Sequence, residues 1–199
     1  SFTEWDLLSA PQWVGMRNYV TLLTDDSLFW TSLWNTIYYA LLTVPAGIVV
    51  SLGLAVLMNQ GLRGTRIYRT IFFIPVVAST IAVALAWKWF YNGECGVLNW
   101  MVSWIGVPPQ NWITETKWAM PAVALTVIWK TMGYNMVIFL AGLQDVPQSL
   151  HEAAAIDGAN SWERFWHITL PLLRPHLFFV LVVSLIGAFQ AFDMVYVMT

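Results

Sequence analysis

Residues 149–171 read SLHEAAAIDGANSWERFWHITLP and form a polar stretch between two apolar blocks. Ser149 and Glu152 have the spacing of a capping box, in which each side chain bonds a backbone N–H group at the start of a helix. The alanines at positions 153–155 favour a helix and add little side-chain bulk. This part of the stretch predicts a short helix that another surface could approach closely.

The second part of the stretch predicts a tight turn and another short helix. Gly158 should break the first helix, because glycine adopts backbone conformations that end helices. Asn160 or Ser161 should cap the next helix, and Pro171 should end it. We therefore expect a helix–turn–helix between the apolar blocks.

Composition indicates an integral membrane protein. The chain has 199 residues, of which 58% are hydrophobic and 10% are charged, whereas a soluble domain has about 25% charged residues. Thirteen Trp and seven Tyr suit a protein that meets two membrane–water interfaces. The net charge of −2 argues against nucleic acid as a partner. A single Cys excludes an intramolecular disulfide and a cysteine-based metal cluster.

Four apolar blocks are long enough to cross a bilayer, which takes about 20 helical residues. They predict an all-α, polytopic helix bundle with spans at about residues 31–58, 70–91, 118–143 and 176–198. Gly47, Ser51 and Ala55 recur every four residues in the first block and form a ridge of small side chains. Such a ridge is suited to close packing of helices in a membrane.

Charge in the loops predicts how the chain is oriented. Arg63, Arg66 and Arg69 lie without any acid in the loop between the first two blocks, and short loops rich in Arg or Lys remain on the cytoplasmic side. Alternation then places residues 144–175 in the cytoplasm and residues 92–117 outside. The predicted topology is four spans with both ends outside.

The polar stretch also resembles a known loop. Glu152-Ala153-Ala154, Asp157-Gly158-Ala159, Ile168 and Leu170-Pro171 match the EAA loop of importer-type ABC permeases. The chain is similar in particular to the sugar-importing permeases of the maltose and glycerol-3-phosphate type. Weaker similarities lie at residues 35–36, 66–75, 87–89, 139–144 and 192–199.

This resemblance implies one transmembrane permease domain over residues 1–199, with four of an expected six spans and with the first and last spans missing. It also implies that residues 144–175, the EAA loop, carry a short cytoplasmic coupling helix that docks on an ATPase subunit. The residues expected to make that contact are Glu152, Ala153, Ala154, Asp157 and Gly158. Two alternatives remain open: Glu152 only caps its helix, and Asp157 is only a solvated acid in a turn.

The resemblance further implies an ATP-driven ABC importer for a sugar or sugar-like solute, in a bacterial or archaeal plasma (inner) membrane. Its partners would be a cytoplasmic ABC ATPase, an extracytoplasmic solute-binding protein and a second permease subunit, with a heterodimer favoured. The sequence lacks the G-x-x-x-x-G-K-[ST] phosphate loop. We therefore expect no enzymatic activity and no cofactor in this chain, with ATP bound by the partner subunit. The three histidines are spaced too irregularly for a metal site on one helix face.

A path for the solute requires polar or aromatic groups inside the bundle. Aromatic faces stack on sugar rings, and amides form hydrogen bonds with hydroxyl groups. A charged side chain within a membrane is energetically costly, so it has a function there or lies near the edge of the bilayer. The candidates are Trp129, Lys130, Tyr134, Asn135 and Gln190. The alternative for these residues is packing between helices or anchoring at the interface.

Two other classes of membrane protein would require different residues in the spans. An ion-coupled secondary transporter would need paired acids within the spans, which supply only Asp193 near one end. A membrane-embedded enzyme would need acids or histidines clustered at one membrane face, and the sequence has no such cluster. The permease is therefore the favoured function.

Overall fold

The computed structural model describes residues 2–8, 10–61 and 64–199. Arg63 of the predicted inner loop lies outside the described residues. The chain divides into two compact units, residues 1–39 and 40–199.

The first unit begins with a two-stranded antiparallel hairpin, in which Thr3 lies opposite Trp13. These strands are a small departure from the all-α prediction. Asp26 Oδ1 accepts hydrogen bonds from the N–H groups of Leu28 and Phe29, at 2.9 and 3.0 Å, where the next long helix begins. The elements are β1 (Thr3–Glu4), β2 (Gln12–Trp13), α1 (Arg17–Thr24) and the start of α2 (Ser27–Asn59).

All regular secondary structure in the described part of the second unit is helical. Besides the remainder of α2, it contains α3 (Thr65–Val77), α4 (Thr80–Phe90), α5 (Val97–Ser103), α6 (Thr116–Gln144), α7 (Gln148–Ile156), α8 (Ser161–Arg164), a π-helical turn (Phe165–Thr169), α9 (Leu170–Leu172), α10 (Arg174–Phe189) and α11 (Phe192–Met198). Two helices, α2 and α6, are long and apolar enough to cross a membrane alone, and up to four spans exist if each of two bent helix pairs is one span.

The core of this unit lies where α2 meets α6. Gly47, Ser51 and Ala55 are buried, and the Ser51 hydroxyl donates to the Gly47 carbonyl at 2.6 Å. Ala55 belongs to the same buried cluster as Met136 and Phe139 of α6. The ridge of small residues therefore packs inside the bundle, as the sequence predicts.

The predicted second span, residues 70–91, is a bent pair rather than one helix. The axes of α3 and α4 differ by 99°. Ala78 and Ser79 between them have extended backbones, with ψ of 143° and 133°. Pro75 in the last turn of α3 has no N–H group to donate, which weakens the helix before the break.

The predicted fourth span, residues 176–198, is also interrupted. Helix α10 ends at Phe189, and Gln190 leaves the helical conformation with φ −103° and ψ 13°. Asp193 lies in the first turn of α11, where a negative charge stabilises the helix N-terminus. At its other end, α10 forms a bent pair with residues 161–172, at 66°.

Candidate functional site

Helix α7 begins earlier than its sequence pattern suggested. Pro147 is the N-cap residue and bonds no helix N–H group through its side chain. Ser149 thus lies inside the first turn, and Glu152 Oε1 instead accepts from Gln148 Nε2 at 2.9 Å. The predicted capping box at Ser149 and Glu152 is wrong, because both residues lie beyond the N-cap position. The Glu152 side chain remains on the exposed surface.

The surface of α7 is open along its length. None of its residues is buried. Glu152 and Ala153 are exposed, Ala154 is half-buried, and Ile156 is 87% exposed. The helix therefore presents small and apolar side chains next to one carboxylate, a surface that a second protein can approach closely.

Gly158 ends α7 in a left-handed conformation, with φ +88°. Its N–H group donates to the carbonyl of Ala155 at 3.2 Å, and the Ala159 N–H group donates to that of Ala154 at 2.9 Å. This pair of bonds is a Schellman motif. A Cβ atom at Gly158 would meet nothing within 4 Å. The turn therefore needs glycine for its backbone conformation rather than for space, and Asp157 beside it is exposed.

The second helix of the stretch has the capping box that α7 lacks. Asn160 Oδ1 accepts from the N–H groups of Trp162 and Glu163, both at 3.0 Å. Glu163 Oε2 accepts from the N–H group of Asn160 at 2.8 Å. Of the two predicted caps, Asn160 is the one used.

Pro171 does not end this helix. The chain passes from α8 into the π-helical turn, where the Leu170 N–H group bonds the Phe165 carbonyl, and continues through Pro171 to Leu172. Because a π-helical turn bonds residues five apart, its wider backbone accommodates the proline that follows. The helix ends at Leu172, before the bend into α10.

Arg164 links the two helices of the stretch. Its Nη2 donates to Ser161 Oγ at 3.1 Å, and its Nη1 lies 3.5 Å from the carbonyl oxygen of His151 on α7. The guanidinium lines a cavity of about 310 Å³ that also borders Asn59 of α2 and Thr169. Nothing in the sequence pattern pairs Arg164 with α7, because the two lie on opposite sides of the Gly158 turn.

The candidate path residues on α6 point in different directions. Successive residues of an α-helix are about 100° apart around its axis, so four positions between 129 and 135 cannot share one face. Trp129 packs edge-on against Trp87 of α4, with ring centroids 5.5 Å apart. The Lys130 ammonium donates to the carbonyls of Ala78 at 2.9 Å and Pro75 at 3.4 Å.

The remaining candidates also lie apart from one another. Tyr134 is 41% exposed, whereas Asn135 is only 5% exposed. Gln190 is exposed at the break between α10 and α11. The structure therefore does not gather the five candidates into one site, and Tyr134 and Gln190 are the two most accessible from outside this chain.

The fold matches solved permease structures. One of them is titled "Crystal structure of a bacterial ABC transporter involved in the import of the acidic polysaccharide alginate". The match has a TM-score of 0.79 and 28% sequence identity, and it covers 90% of this chain and 63% of that chain.

Relatives with known names are permease proteins. The trehalose/maltose transport system permease protein MalF of Thermococcus litoralis is 40% identical over 186 residues, which are 94% of this chain and 63% of that protein. The sulfoquinovosyl glycerol transport system permease protein SmoG of Agrobacterium fabrum is 39% identical over 201 residues, covering 100% of this chain and 65% of that protein. The chain thus spans a little under two thirds of the length of these relatives.

The family match covers most of the chain. Residues 43–199 match the family described as "Binding-protein-dependent transport system inner membrane component". The matched region includes the exposed α7, the Gly158 turn and the bent helix pairs. The chain belongs to this family of inner-membrane components of binding-protein-dependent transport systems.

Proposed function

We propose that this chain is the membrane-spanning permease subunit of an ATP-driven ABC importer for a sugar or sugar-like solute. One observation carries the proposal: an exposed helix–turn–helix, residues 148–172, lies between apolar helices inside the region that matches the permease family. An ion-coupled secondary transporter is not supported, because the family is binding-protein-dependent.

In this proposal α7 is the coupling helix. Ala153 and Ala154 let the ATPase surface come close, and Gly158 sets the angle between α7 and the helix that leads to the next span. Glu152 and Asp157 are exposed, and they supply negative charges for Arg or Lys of the partner. The exposed Ile156 adds an apolar contact.

Arg164 would transmit movement of α7 to the bundle. It contacts both the His151 carbonyl on α7 and Ser161 on α8. Residues 161–172 continue into α10 through a bend. A push on α7 would therefore reach α10 through this bend.

The solute class follows from the relatives. Their names refer to trehalose or maltose, to sulfoquinovosyl glycerol and to alginate. A sugar-like solute would need aromatic and amide groups along its path. Tyr134 and Gln190 best fit the role of lining the path, because both are exposed. Trp129, Lys130 and Asn135 would pack behind the lining residues and hold them in place.

The partners follow from the same proposal. ATP is held by a cytoplasmic ABC ATPase, so this chain needs no cofactor and carries no catalytic residues of its own. An extracytoplasmic solute-binding protein delivers the solute, and a second permease subunit completes the membrane pathway in a heterodimer. The complex would lie in a bacterial or archaeal plasma membrane, with this chain crossing it several times.

Gly158→Asn tests the coupling role of the turn. Asparagine tolerates the left-handed conformation better than most residues, so this change adds bulk at the docking surface with little backbone strain. We expect uptake per ATP hydrolysed to fall roughly tenfold, while the amount of protein in the membrane stays unchanged. Solute uptake and ATP hydrolysis would be measured together in proteoliposomes containing the complete transporter.

The matched control is Gly106→Asn. Gly106 is also left-handed, with φ +79°, and a Cβ there also meets nothing within 4 Å, but it lies in the loop between α5 and α6, which is predicted to face the other side of the membrane from α7. The control should retain normal coupling. Wild-type uptake per ATP in Gly158→Asn would refute the coupling role of the turn.

A further inference from the structure

We infer that Lys130 is a positioning residue whose ammonium group holds the bend between α3 and α4. Its Nζ donates to the carbonyls of Ala78, at 2.9 Å, and Pro75, at 3.4 Å. The last carbonyls of a helix have no partner within that helix. A positive charge at a helix C-terminus is also stabilising. Lys130 therefore supplies the end of α3 with both a hydrogen-bond donor and a stabilising positive charge.

The residues at the bend between α3 and α4 do not satisfy all of their own backbone hydrogen-bonding groups. Ala78 and Ser79 are extended, so the helical pattern of hydrogen bonds stops at this point and the carbonyls of Pro75 and Ala78 face the break. In a bilayer every backbone polar group needs a partner inside the protein or in a water-filled cavity. Lys130 of α6 supplies a donor to both carbonyls.

Helix α6 contacts α3, α4 and the break between them. Trp129 packs against Trp87 on α4. One turn away from Trp129, a Cβ at Gly133 would collide with the carbonyl oxygen of Phe72, so α6 lies directly against α3. Lys130 sits between these two contacts in sequence. The three residues together fix α3, the break and α4 to one helix.

A lysine suits this position for chemical reasons. Its ammonium carries three donors on a flexible stem and can serve two carbonyls that face different directions. The cost of a charge within a membrane is reduced when polar groups surround it. The functional consequence rests on the proposed function. By holding the bend, Lys130 fixes the direction of α4 along the solute pathway, and with it that of α11, which packs on α4.

Spin labels can measure the bend. Ile67 on α3 and Ala86 on α4 are exposed and suitable for cysteine substitution. In a continuous helix their backbones would be about 28 Å apart, whereas the 99° bend brings them to about 19 Å. The labels would be placed in a Cys95→Ser background, since Cys95 is an exposed free cysteine. Distances would be measured by pulsed electron paramagnetic resonance in the complete transporter in nanodiscs.

Lys130→Met removes the charge and the donors while keeping the length of the side chain. We expect the distance distribution to broaden and move toward the value for a straighter helix, and Lys130→Arg to restore it. Lys117→Met is the control, because Lys117 lies on the same helix and stacks on Trp118, away from the break. Should Lys130→Met not reach the membrane, Lys130→Gln, which keeps one donor group, should give an intermediate distribution.

A Lys130→Met or Lys130→Gln distribution that superimposes on the wild type would overturn the inference. Solute-stimulated ATP hydrolysis provides the second readout: we expect a roughly tenfold fall in Lys130→Met and recovery in Lys130→Arg. A fall in ATP hydrolysis without a change in distance would also overturn it. Absence of solute-stimulated hydrolysis in the wild type would refute the proposed function, while the distances would still decide the role of Lys130.

Discussion

The side-chain amide of Asn99 ties together the loop between α4 and α6. Its Nδ2 donates to the carbonyls of Gly93 at 2.8 Å and Gln110 at 3.0 Å. Its Oδ1 accepts from Trp112 Nε1 at 2.7 Å and from the Gln110 N–H group at 3.1 Å. Asn99 is only 6% exposed. One residue therefore connects both ends of the loop with its middle.

Asn99→Leu should open this loop. The substitution keeps an apolar body of similar size but leaves several partly buried groups without partners, each of which costs about 1–3 kcal/mol. We expect amides of residues 93–112 to exchange hydrogen roughly a hundredfold faster, as measured by mass spectrometry. Asn111→Leu is the control, because Asn111 is exposed in the same loop. Equal exchange in both variants would contradict the organising role of Asn99.

At the scale of elements, two stretches carry the same capping pattern and only one uses it. Ser149 and Glu152 have the spacing, but Pro147 takes the N-cap position. Asn160 and Glu163 have the spacing and form both bonds. The pattern alone cannot choose between them, because a side chain can cap only where the helix begins, and α7 begins at Gln148, directly after the extended Pro147.

Asn160→Ala should destabilise the start of α8 by about 1 kcal/mol, the usual cost of losing an N-cap side chain. Ser149→Ala should change stability by less than about 0.5 kcal/mol, since Ser149 caps no helix. Hydrogen exchange at the amides of Trp162 and Glu163 would measure the first effect, expected as roughly fivefold faster exchange. A larger effect from Ser149→Ala would restore the capping box first predicted for α7.

The lengths of the long helices could be predicted from sequence, and their breaks could not. Helices α2 and α6 agree with the predicted spans to within four residues at each end, because uninterrupted apolar sequence is a strong signal. The breaks at residues 78–79 and 190–191 contain neither glycine nor proline, the two residues that most often mark the end of a helix in a sequence. At the first break, part of the stabilisation comes from Lys130, 52 positions away along the chain. The sequence around residues 78–79 alone does not indicate such a long-range contact.

At the scale of the whole molecule, the proposed coupling stretch, residues 148–172, and the proposed solute path differ in how far their structures can be predicted. The hydrogen bonds of the Gly158 turn and the Asn160 cap join residues only a few positions apart, so a local sequence pattern is sufficient to propose both. A path instead depends on which helix faces meet, and residues chosen for their chemistry alone fall on several faces. Trp129, Lys130 and Asn135 are engaged or buried in the bundle, and Tyr134 is open.

Opposite faces of α6 allow the path to be tested within one helix. Tyr134 and Leu125 are nine residues apart, which places them about 180° apart around the axis, and they are 41% and 48% exposed. In a Cys95→Ser background of the complete transporter, Tyr134→Cys should react with a membrane-impermeant thiol reagent. Solute at ten times its half-saturating concentration should slow that reaction about tenfold. Leu125→Cys is the control and should not react, because its face of α6 would lie against lipid or protein. If only Leu125→Cys reacts, or if solute does not protect Tyr134→Cys, Tyr134 does not line the path.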